Sequence, residues 1–511
     1  MNRIIQLLQK LRLNPKGDFP EGLSITDVTE VSSECHEGSL FVAIPGFKAD
    51  GHDYLPDAAR RGAVAALVTR ELSAELRSSL GTLHLVQVDD ARPAAGPVAQ
   101  LVAGEPSHQM DVVGVTGTNG KTTTVFLMEA ILRAAGKNPG IMGTVLTRWA
   151  GREVVAKETT PSGPSIARQM AQMKADGVDS LAFEVSSHAI DQHRVDGIRF
   201  RAMALTNVTQ DHLDYHKTME AYAAVKMSIF ERMRDENAEA IGVVNLDDPT
   251  GRQLALRLPE KNRLTYGTSL SEADLHAESI SLHDDGISID ANFRGRKFLI
   301  HSPMHGRFNA SNCLTATGLA LALGIPIEAI VKGCGVFRGA PGRFEMVEGL
   351  PGVKVIVDYA HTPDALIKLL ENARGLTRHR LVAIFGCGGD RDRTKRPLMG
   401  KAAWEIADEA IITSDNPRTE DPQYIIQEVI GGIPWKESSG RPFRVIPDRR
   451  EAIGSAIATA HEGDVIVVAG KGHEDYQIIG TTKTHFDDRE VAREFIRQKN
   501  AQKTGQAEAI T

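Results

Sequence analysis

The segment that most restricts the fold of this chain lies at residues 111–124. It reads DVVGVTGTNGKTTT, a short apolar run that passes into a glycine-rich stretch and then into a lysine followed by three threonines. The apolar run predicts a strand, and the residues from Lys121 onward predict a helix. A strand, a flexible loop and a helix in this order direct backbone N–H groups and the positive end of the helix at an anion. The segment therefore predicts a phosphate-binding loop within an α/β domain.

The residue types of this loop fit a nucleotide. Gly117 and Gly120 allow the backbone to curl closely around phosphate oxygens. Lys121 can reach the β- and γ-phosphates, and the hydroxyl group of Thr122 can ligate Mg²⁺. The strict P-loop pattern has glycine at position 115, where this chain has valine, so an ordinary glycine-rich turn is the alternative. We predict nucleotide binding by Gly117, Thr118, Asn119, Gly120, Lys121, Thr122 and Thr123.

The length and the apolar runs indicate three consecutive α/β domains, because 511 residues are too many for one ordinary core. Residues 40–69 read as strand, loop, alanine-rich helix and strand. Beyond residue 345, four apolar runs alternate with helical patterns, which is typical of a mostly parallel sheet wrapped by helices. We predict an N-terminal domain (1–106), a central domain with a parallel sheet (107–337), a C-terminal domain (338–495) and a polar tail (496–511).

Composition excludes several classes of protein. The formal net charge of −7, with no basic stripe, argues against nucleic-acid binding. The four cysteines form no CxxC pair, which supports neither a zinc ribbon nor a disulfide framework and fits a reducing compartment. The opening MNRIIQLLQKLRL has apolar residues at helical spacing but no continuous apolar core of a signal peptide or membrane span. We expect a cytoplasmic monomer without nucleic-acid or membrane partners.

Two further apolar runs of the central domain end in polar residues. SLAFEVSSH ends its run at Glu184, and AMALTNVTQDHLDYH ends near Asn207 and continues to His212. Ligands of open parallel sheets gather outside the carboxyl ends of the strands. Glu184 and His212 could therefore face the same Mg²⁺ and phosphate groups as Thr122. The alternative for His212 is a residue at a helix start with no ligand role.

Lys226 lies on an apolar stripe. In TMEAYAAVKMSIFERM, Met219, Tyr222, Ile229 and Phe230 recur at helical spacing, and Lys226 falls in line with them. A bare ammonium group there is costly unless the side chain extends outward to solvent. Snorkelling of this kind is one interpretation. The other is that the amine has reacted with CO₂ and that the resulting anionic carbamate faces a metal ion.

Eight motifs together resemble the Mur ligase family. GTNGKTTT, EVSSH, DHLDYH, HGRFNASN, DYAHTP, GCGGDRD, SDNPR and AGKGHEDYQ occur in the order seen in these ligases, and the resemblance is strongest from residue 110 to residue 490. It implies an N-terminal UDP-sugar domain, a central ATPase domain and a Rossmann-like C-terminal domain. It also implies that a substrate carboxylate is activated by ATP as an acyl phosphate, which the amine of an amino acid then attacks.

The resemblance assigns roles to individual residues. It implies carbamylation of Lys226 by CO₂, Mg²⁺ ligation by Thr122, Glu184, His212 and the carbamate, and catalytic roles for Lys121, Lys226 and His361. Further positions that match contacts to ATP or its phosphates are Asn309, Asn312, Arg343, Asp358 and His361. Positions that match contacts to the UDP-muramoyl peptide are Thr159, Thr160, Ser186, Gln192 and Arg194.

The amino acid that is added is indicated by SDNPR. The motif follows the apolar run EAIIT, and an Asn-Pro pair alone would suit an ordinary turn. The motif resembles the recognition loop of the diaminopimelate-adding Mur ligases. This resemblance implies addition of meso-diaminopimelate to UDP-N-acetylmuramoyl-L-alanyl-D-glutamate during peptidoglycan synthesis. A guanidinium group can bind the distal carboxylate that distinguishes diaminopimelate from lysine. The residues implied are Arg391, Asp415, Asn416, Pro417, Arg418, Gly470 and Glu474.

The N-terminal domain departs from the family pattern. Where many members have Asp-Ser-Arg, this chain has Val31-Ser32-Ser33, so only Ser32 is retained as a contact near the uridine. Two related ligases are alternatives: a lysine-adding Mur ligase and an enzyme similar to folylpolyglutamate synthase. A P-loop kinase or NTPase switch and a dinucleotide-dependent oxidoreductase are more distant alternatives, and FGCGGDRD lacks the GxGxxG spacing of the latter. A non-catalytic scaffold would leave the catalytic positions unexplained.

Overall fold

A small parallel sheet opens the chain in the computed structural model, which describes residues 3–46, 49–434 and 442–508. Its strands run in the order β1-β2-β3-β4, all parallel. Leu40 and Val42 face one side of this sheet, and Phe41 and Ala43 face the other, in two separate apolar clusters. The elements are α1 (Arg3–Lys10), β1 (Asp27–Thr29), β2 (Ser39–Val42), α2 (Leu55–Arg60), β3 (Ala65–Val68), α3 (Ala74–Ser79), β4 (His84–Gln87) and α4 (Arg92–Val102).

An eleven-stranded sheet follows, in the order β15-β14-β13-β12-β11-β10-β5-β9-β6-β7-β8. Its elements are β5 (Asp111–Thr116), α5 (Lys121–Ala134), β6 (Pro139–Met142), β7 (Leu146–Trp149), β8 (Arg152–Val155), α6 (Gly163–Ala175), β9 (Ser180–Glu184), α7 (Ser187–Asp191), β10 (Phe200–Leu205), α8 (Leu213–His216), α9 (Met219–Glu236), β11 (Ile241–Asn245), α10 (Pro249–Arg257), β12 (Arg263–Gly267), β13 (Leu275–His283), β14 (Gly286–Phe293), β15 (Arg296–Ser302), α11 (Phe308–Ala322) and α12 (Ile327–Val336).

The position of β5 decides where the polar strand ends meet. β5 pairs in parallel with β9 on one side and with β10 on the other. The carboxyl ends of the three strands therefore lie at one edge of the sheet, which brings the glycine loop, Glu184 and the segment after Leu205 together. The ladder β13–β15, in contrast, follows no motif that the sequence pattern singles out.

The third sheet has the order β16-β17-β21-β18-β19-β20, with only β16 antiparallel to its neighbour. Val465 and Val467 of β21 pack into one apolar cluster, and Ile466 and Val468 pack into another on the opposite face. The elements are β16 (Glu345–Val347), β17 (Lys354–Asp358), α13 (Pro363–Arg374), β18 (Leu381–Phe385), α14 (Lys395–Ile406), β19 (Glu409–Ile412), α15 (Pro422–Ile430), β20 (Phe443–Val445), α16 (Arg449–Ala458), β21 (Val465–Ala469), β22 (Tyr476–Ile479), β23 (Thr482–His485) and α17 (Asp488–Glu508).

The predicted α/β class is confirmed, and each of the three predicted regions contains its own sheet. By contacts, the described residues form two compact units. The first comprises Met1–Ser281, Ser288–Ser302 and Asn309–Phe337, and the second comprises Leu282–Ile287, Pro303–Phe308 and the part of the chain from residue 338 onward. No helix in the described part of the chain combines the length and apolar character that a bilayer crossing requires.

A buried ion pair joins α16 to α17 in the second unit. Arg449 Nε and Nη2 each donate to a carboxylate oxygen of Asp488 over 2.7 Å, and both side chains are fully enclosed. Arg449 Nη2 also donates to the carbonyl oxygen of Ala469 at the end of β21. A buried ion pair of this kind adds little to the free energy of unfolding compared with two apolar side chains in its place. The loss of one partner, however, leaves an uncompensated buried charge.

We predict that Asp488→Asn lowers the local unfolding free energy by about 3–5 kcal/mol, since Arg449 then remains buried without its counter-ion. Hydrogen–deuterium exchange of the α16 and α17 peptides in the full chain measures this. The matched control is Glu494→Gln, which breaks an exposed ion pair with Arg450 between the same two helices and should cost less than about 1 kcal/mol. Equal effects of the two substitutions would contradict the prediction, and the double variant Arg449→Met/Asp488→Leu should lose less than Asp488→Asn.

Candidate active site

The loop between β5 and α5 requires glycine at two positions. Gly117 and Gly120 have φ angles of 144° and 89°, in a region that side-chain-bearing residues avoid. A Cβ atom on Gly117 would lie 1.9 Å from Thr206 Oγ1, and one on Gly120 would lie 2.4 Å from Asn312 Oδ1. The loop is therefore pressed against the end of β10 and against α11, where Asn312 lies beside it.

Residues after β10 brace the loop through its backbone. The N–H group of Thr118 donates to the carbonyl oxygen of Asn207 over 2.8 Å, and that of Asn119 donates to Asn207 Oδ1 over 3.0 Å. Thr206 Oγ1 donates to the carbonyl oxygen of Asn119. Thr123 is buried in the first turn of α5. Asn207 thus contributes to the shape of the loop, a role that the sequence pattern did not assign to it.

Two lysines converge on one carbonyl group of the loop. Lys121 Nζ donates to the carbonyl oxygen of Gly117 over 2.8 Å, and Lys226 Nζ donates to the same oxygen over 2.9 Å. Lys226 is 1% exposed, so the snorkelling interpretation is wrong: the side chain points inward, over the ring of Tyr222. Burial, and to a smaller extent the charge of Lys121, places the pKa of Lys226 well below its ordinary value.

Glu184 lies fully enclosed at the end of β9 and accepts three hydrogen bonds. Thr122 Oγ1 and Thr144 Oγ1 each donate to Glu184 Oε2 over 3.0 Å, and the N–H group of Thr144 donates to Oε1 over 2.8 Å. The structure thus brings together Thr122 and Glu184, two of the predicted metal ligands. Within the described residues, no group of three or more His, Cys, Asp or Glu side chains is arranged to hold a metal ion.

His212 immediately precedes the short helix α8 and has a left-handed φ of 53°. Its ring packs edge-on against His188, with ring centres 4.8 Å apart, and lies 6.2 Å from the ring of Tyr222. Among the described residues, no hydrogen bond joins His212 to Glu184. His212 therefore lies on the Lys226 side of the site, next to Tyr222, whose hydroxyl group contacts Thr118 over 3.2 Å.

Four of the residues predicted to contact the muramoyl peptide are linked by hydrogen bonds. Thr160 Oγ1 donates to the carbonyl oxygen of Glu184 and accepts from the N–H group of Ser186. Arg194 donates to the carbonyl oxygen of Thr160 over 2.9 Å and to Gln192 Oε1 over 2.8 Å. This series of hydrogen bonds begins at the carbonyl group of Glu184, at the end of β9. The predicted peptide contacts are therefore connected directly to the backbone of the predicted metal ligand.

The two remaining positions of this group lie at its margins. Thr159 Oγ1 hydrogen-bonds Thr144 Oγ1 over 3.2 Å, which links it to Glu184 through Thr144. Ser32 begins a short 3₁₀ helix in the N-terminal sheet region, and its hydroxyl group hydrogen-bonds Asp57, which lowers the pKa of that carboxyl group. Within the described residues, no hydrogen bond joins Ser32 to the group around Thr160, so its role stays a prediction.

In the second unit, three of the residues predicted to contact ATP lie at or beside the end of β17. Asp358 accepts from the N–H groups of Phe344 and Ala360, each over 2.7 Å. Burial raises the pKa of Asp358, and the nearby charge of Arg343 opposes that rise. The guanidinium group of Arg343 lies over the ring of Tyr359, 4.7 Å from its centre. His361 Nδ1 donates to the carbonyl oxygen of Tyr359 over 2.8 Å.

The residues predicted to bind diaminopimelate gather where β19 and β21 end. Asn416 Nδ2 donates to Glu474 Oε2 over 2.9 Å, and Arg418 Nη1 donates to the carbonyl oxygen of Gly389 over 2.8 Å. A Cβ atom on Gly388 would lie 3.0 Å from Arg418 Nη1 and 3.8 Å from Arg391 Cγ, so both arginines flank the same glycine.

Close approaches to the backbone of two glycines shape this cluster. A Cβ atom on Gly470 would lie 2.5 Å from Asp415 Oδ2, and one on Gly389 would lie 1.8 Å from the carbonyl oxygen of Pro417. Arg396, which is fully enclosed, supports the glycine-bearing loop by donating to the carbonyl oxygen of Gly388 and pairing with Glu420. The cluster is therefore held by backbone packing that only glycine permits.

The sequence pattern missed several residues of these clusters. Lys471 is fully enclosed and contacts both Asn416 and Glu474, and Tyr222 and His188 pack beside Lys226 and His212. Lys471 stands next to Gly470 in the motif AGKGHEDYQ, so its signal was adjacency to an assigned residue. Nothing in the spacing of Tyr222 distinguished it from an ordinary core residue.

Comparison with known proteins places this arrangement in a family. Residues 24–94 match the model described as "Mur ligase family, catalytic domain", residues 115–320 match "Mur ligase middle domain" and residues 342–472 match "Mur ligase, glutamate ligase domain". The three matched stretches fall within the three sheet-containing regions described above.

Relatives of known identity match along nearly the whole chain. The UDP-N-acetylmuramoyl-L-alanyl-D-glutamate–2,6-diaminopimelate ligase of Thermosynechococcus vestitus is 42% identical over 497 residues, covering 97% of this chain and 98% of the relative. The ligase of the same name from Synechococcus elongatus is 43% identical, covering 94% and 95%. A solved structure of a ligase of this name superposes with a TM-score of 0.69 at 31% identity, covering 93% of this chain and 95% of that chain. The predicted resemblance is confirmed: the chain belongs to the Mur ligase family.

Proposed function

We propose that this chain is an ATP-dependent ligase that joins meso-diaminopimelate to the D-glutamate of UDP-N-acetylmuramoyl-L-alanyl-D-glutamate in peptidoglycan precursor synthesis. The observation that carries the proposal is the amino-acid cluster, in which Arg391, Arg418, Asn416 and Glu474 gather around two glycine-bearing loops. Relatives that match almost the full length of the chain are named for this reaction.

The reaction proceeds in two balanced steps. A carboxylate oxygen of the D-glutamate attacks the γ-phosphorus of ATP, which forms an acyl phosphate and releases ADP. The amine of diaminopimelate then attacks the acyl carbon, so that the new C–N bond forms, orthophosphate leaves and the amine loses a proton. The first step brings anions together, and cationic groups must offset the developing charge. Lys121 at the glycine loop supplies one such charge, and His361 is the second proposed catalytic group.

The remaining residues proposed to contact ATP lie in both units. In the first unit, the loop from Gly117 to Thr123 provides N–H groups and hydroxyl groups, with Asn309 and Asn312 beside it on α11. In the second unit, Asp358 ends β17, and the guanidinium group of Arg343 lies over the ring of Tyr359, the next residue.

The donor set at β9 fits Mg²⁺. Thr122 and Glu184 provide a hydroxyl oxygen and a buried carboxylate within 3.0 Å of each other, and oxygen donors are the ligands that Mg²⁺ prefers. We assign Thr122, Glu184, His212 and carbamylated Lys226 as the residues that would hold the ion. When bound, Mg²⁺ would neutralise charge on the phosphate oxygens.

Lys226 is suited to carbamylation. The neutral amine is the form that attacks CO₂, since the nitrogen lone pair forms the N–C bond and one proton is then released. Enclosure beside Lys121 favours that neutral form, and no carboxylate within the described residues forms an ion pair with Lys226. A carbamate replaces a cation with an anion, which relieves the repulsion between two lysines on one carbonyl group and supplies the metal site with a further oxygen ligand.

Selection of diaminopimelate over lysine follows from the two arginines. The distal carboxylate of diaminopimelate can accept hydrogen bonds from a guanidinium fork, and lysine has no group to replace it. Arg418 also has a left-handed φ of 53°, and its backbone N–H group donates to the carbonyl oxygen of Ile478 in β22, so its direction is set by two loops.

We predict that orthophosphate and the tripeptide product form in equal amounts when the chain receives ATP, Mg²⁺, UDP-muramoyl-dipeptide and meso-diaminopimelate. With ¹⁸O in the D-glutamate carboxyl group, one label should appear in the released phosphate. Parallel reactions with L-lysine and L-glutamate measure selectivity. Phosphate release without an amino acid would favour an NTPase switch, preference for L-lysine or L-glutamate would favour the corresponding ligase, and unlabelled phosphate would exclude the acyl phosphate.

We predict that Lys226→Ala abolishes turnover and that added short carboxylates restore part of it, because they supply the missing anionic oxygen. ¹³C NMR with labelled bicarbonate should show a carbamate signal in the unsubstituted chain and none in the variant. Lys217→Ala removes an exposed lysine from the same region and should retain both turnover and the signal. Full turnover of Lys226→Ala would remove Lys226 from the mechanism.

We predict that Arg418→Ala raises the KM for diaminopimelate about tenfold or more and leaves the KM for ATP within about twofold, since one charged hydrogen-bonding fork is lost. Preference for diaminopimelate over lysine should fall in parallel. Arg393→Ala, which removes an exposed arginine near the same loop, serves as the control and should change neither constant. An unchanged KM for diaminopimelate in Arg418→Ala would exclude Arg418 from the amino-acid site.

A further inference from the structure

Two lysines in the described part of the chain are almost completely enclosed, and they differ in their surroundings. Lys226 is 1% exposed and Lys471 is 0% exposed. Lys226 has no ion-pair partner among the described residues, whereas Lys471 Nζ lies 3.5 Å from Glu474 Oε2. A buried ammonium group is costly unless an opposite charge and hydrogen bonds compensate for it. The retention of Lys471 in the interior therefore depends on Glu474.

The hydrogen bonds of the Lys471 ammonium group go to two residues of the amino-acid cluster, and the group also lies over the ring of Tyr476, 5.4 Å from its centre. The ammonium group donates to Asn416 Oδ1 over 3.2 Å, and Asn416 Nδ2 donates over 2.9 Å to the same Glu474 oxygen that faces the lysine. Asn416 Oδ1 also accepts from the N–H group of Ile478 over 2.9 Å. Lysine, asparagine and glutamate thus form a closed triangle, and the triangle fixes which way the amide of Asn416 points.

The charge balance of Glu474 depends on this lysine. Burial raises the pKa of Glu474, the charge of Lys471 lowers it, and the carboxylate of Asp415 raises it again. Tyr476, Tyr359 and Arg449 are the other titratable or charged groups that interact with Glu474. Among all these groups, Lys471 is the one cation in direct contact with the carboxylate.

We infer that Lys471 is a positioning residue of the amino-acid site, whose ammonium group holds the Glu474 carboxylate and the Asn416 amide in the arrangement that receives the ammonium group of the incoming amino acid. This inference rests on the proposed function. A carboxylate has acceptor positions for about four hydrogen bonds, so the contacts with Asn416 and Lys471 leave room for the substrate. Lys471 acts through Glu474 and Asn416 and does not touch the reacting atoms.

The sign of the pH dependence follows from this arrangement. Glu474 must be ionised to bind an ammonium group, so the KM for diaminopimelate should fall as pH rises through the raised pKa of Glu474. Removal of Lys471 takes away the charge that lowers this pKa. The fall in KM should then occur at higher pH, and at neutral pH the variant should bind the amino acid more weakly.

The test compares Lys471→Met with Lys483→Met in the full-length chain. Lys483 is exposed and lies over the same Tyr476 ring, 3.8 Å from its centre, so it controls for loss of a lysine beside that ring. Steady-state rates are measured from pH 6 to pH 9 with saturating ATP and UDP-muramoyl-dipeptide. We expect Lys471→Met to raise the KM for diaminopimelate about tenfold or more at neutral pH, to shift its pH profile upward and to change kcat by less than about threefold. Lys483→Met should match the unsubstituted chain.

The double variant Lys471→Met/Glu474→Gln keeps the test decisive if Lys471→Met alone folds poorly, because it removes both buried charges. Its KM should equal that of Glu474→Gln alone and should lose the Glu474-dependent pH profile. An unchanged KM and pH profile in folded Lys471→Met would overturn the inference, as would a loss of kcat and melting temperature without a pH shift. If the unsubstituted chain shows no diaminopimelate-dependent turnover, the proposed function itself fails, which is a separate result.

Discussion

The carbonyl group of Gly117 is the point on which the site in the first unit depends. It accepts hydrogen bonds from both Lys121, the first residue of the helix α5 that follows the loop, and Lys226 of α9. This convergence is possible only because the loop turns through a φ of 144° directly against Thr206, where a side chain on residue 117 would clash. The close approach of Gly117 to Thr206 therefore sets the conformation of the loop. It also sets the directions in which the side chains of Lys121 and Lys226 point.

The parallel sheets turn that approach into a site. Because β5 lies between β9 and β10, the loop, the buried carboxylate of Glu184 and the bracing residue Asn207 meet at one edge. The same rule operates in the second unit, where β17 ends at Asp358 and where Asp415 and Gly470 follow the ends of β19 and β21. Each unit thus gathers polar side chains at the carboxyl ends of its strands. In the loops that follow these strands, backbone N–H and carbonyl groups do not pair with a neighbouring strand.

Buried charge is handled differently in the two units. Lys226 is enclosed next to a second lysine, which favours its neutral form and makes it a candidate for modification. Lys471 is enclosed next to Glu474, and the two groups compensate for each other's desolvation. Two lysines with nearly the same exposure therefore have different chemistry, because Lys471 has a carboxylate at ion-pair distance and Lys226, among the described residues, has none.

The sequence by itself determined the α/β class, the strand that precedes the glycine loop and the family, because apolar runs, glycine spacing and ordered motifs are local features of the chain. It also placed Lys226 on an apolar stripe, but periodicity states only that a position faces the core and not whether a long side chain then bends back to solvent. The tertiary structure decided that the Lys226 side chain points inward. It also decided the contacts of Lys471 with Asn416 and Glu474 and the bracing role of Asn207. Each depends on residues distant in sequence that approach within hydrogen-bond distance only when the strands are arranged side by side, and no local pattern records such distances.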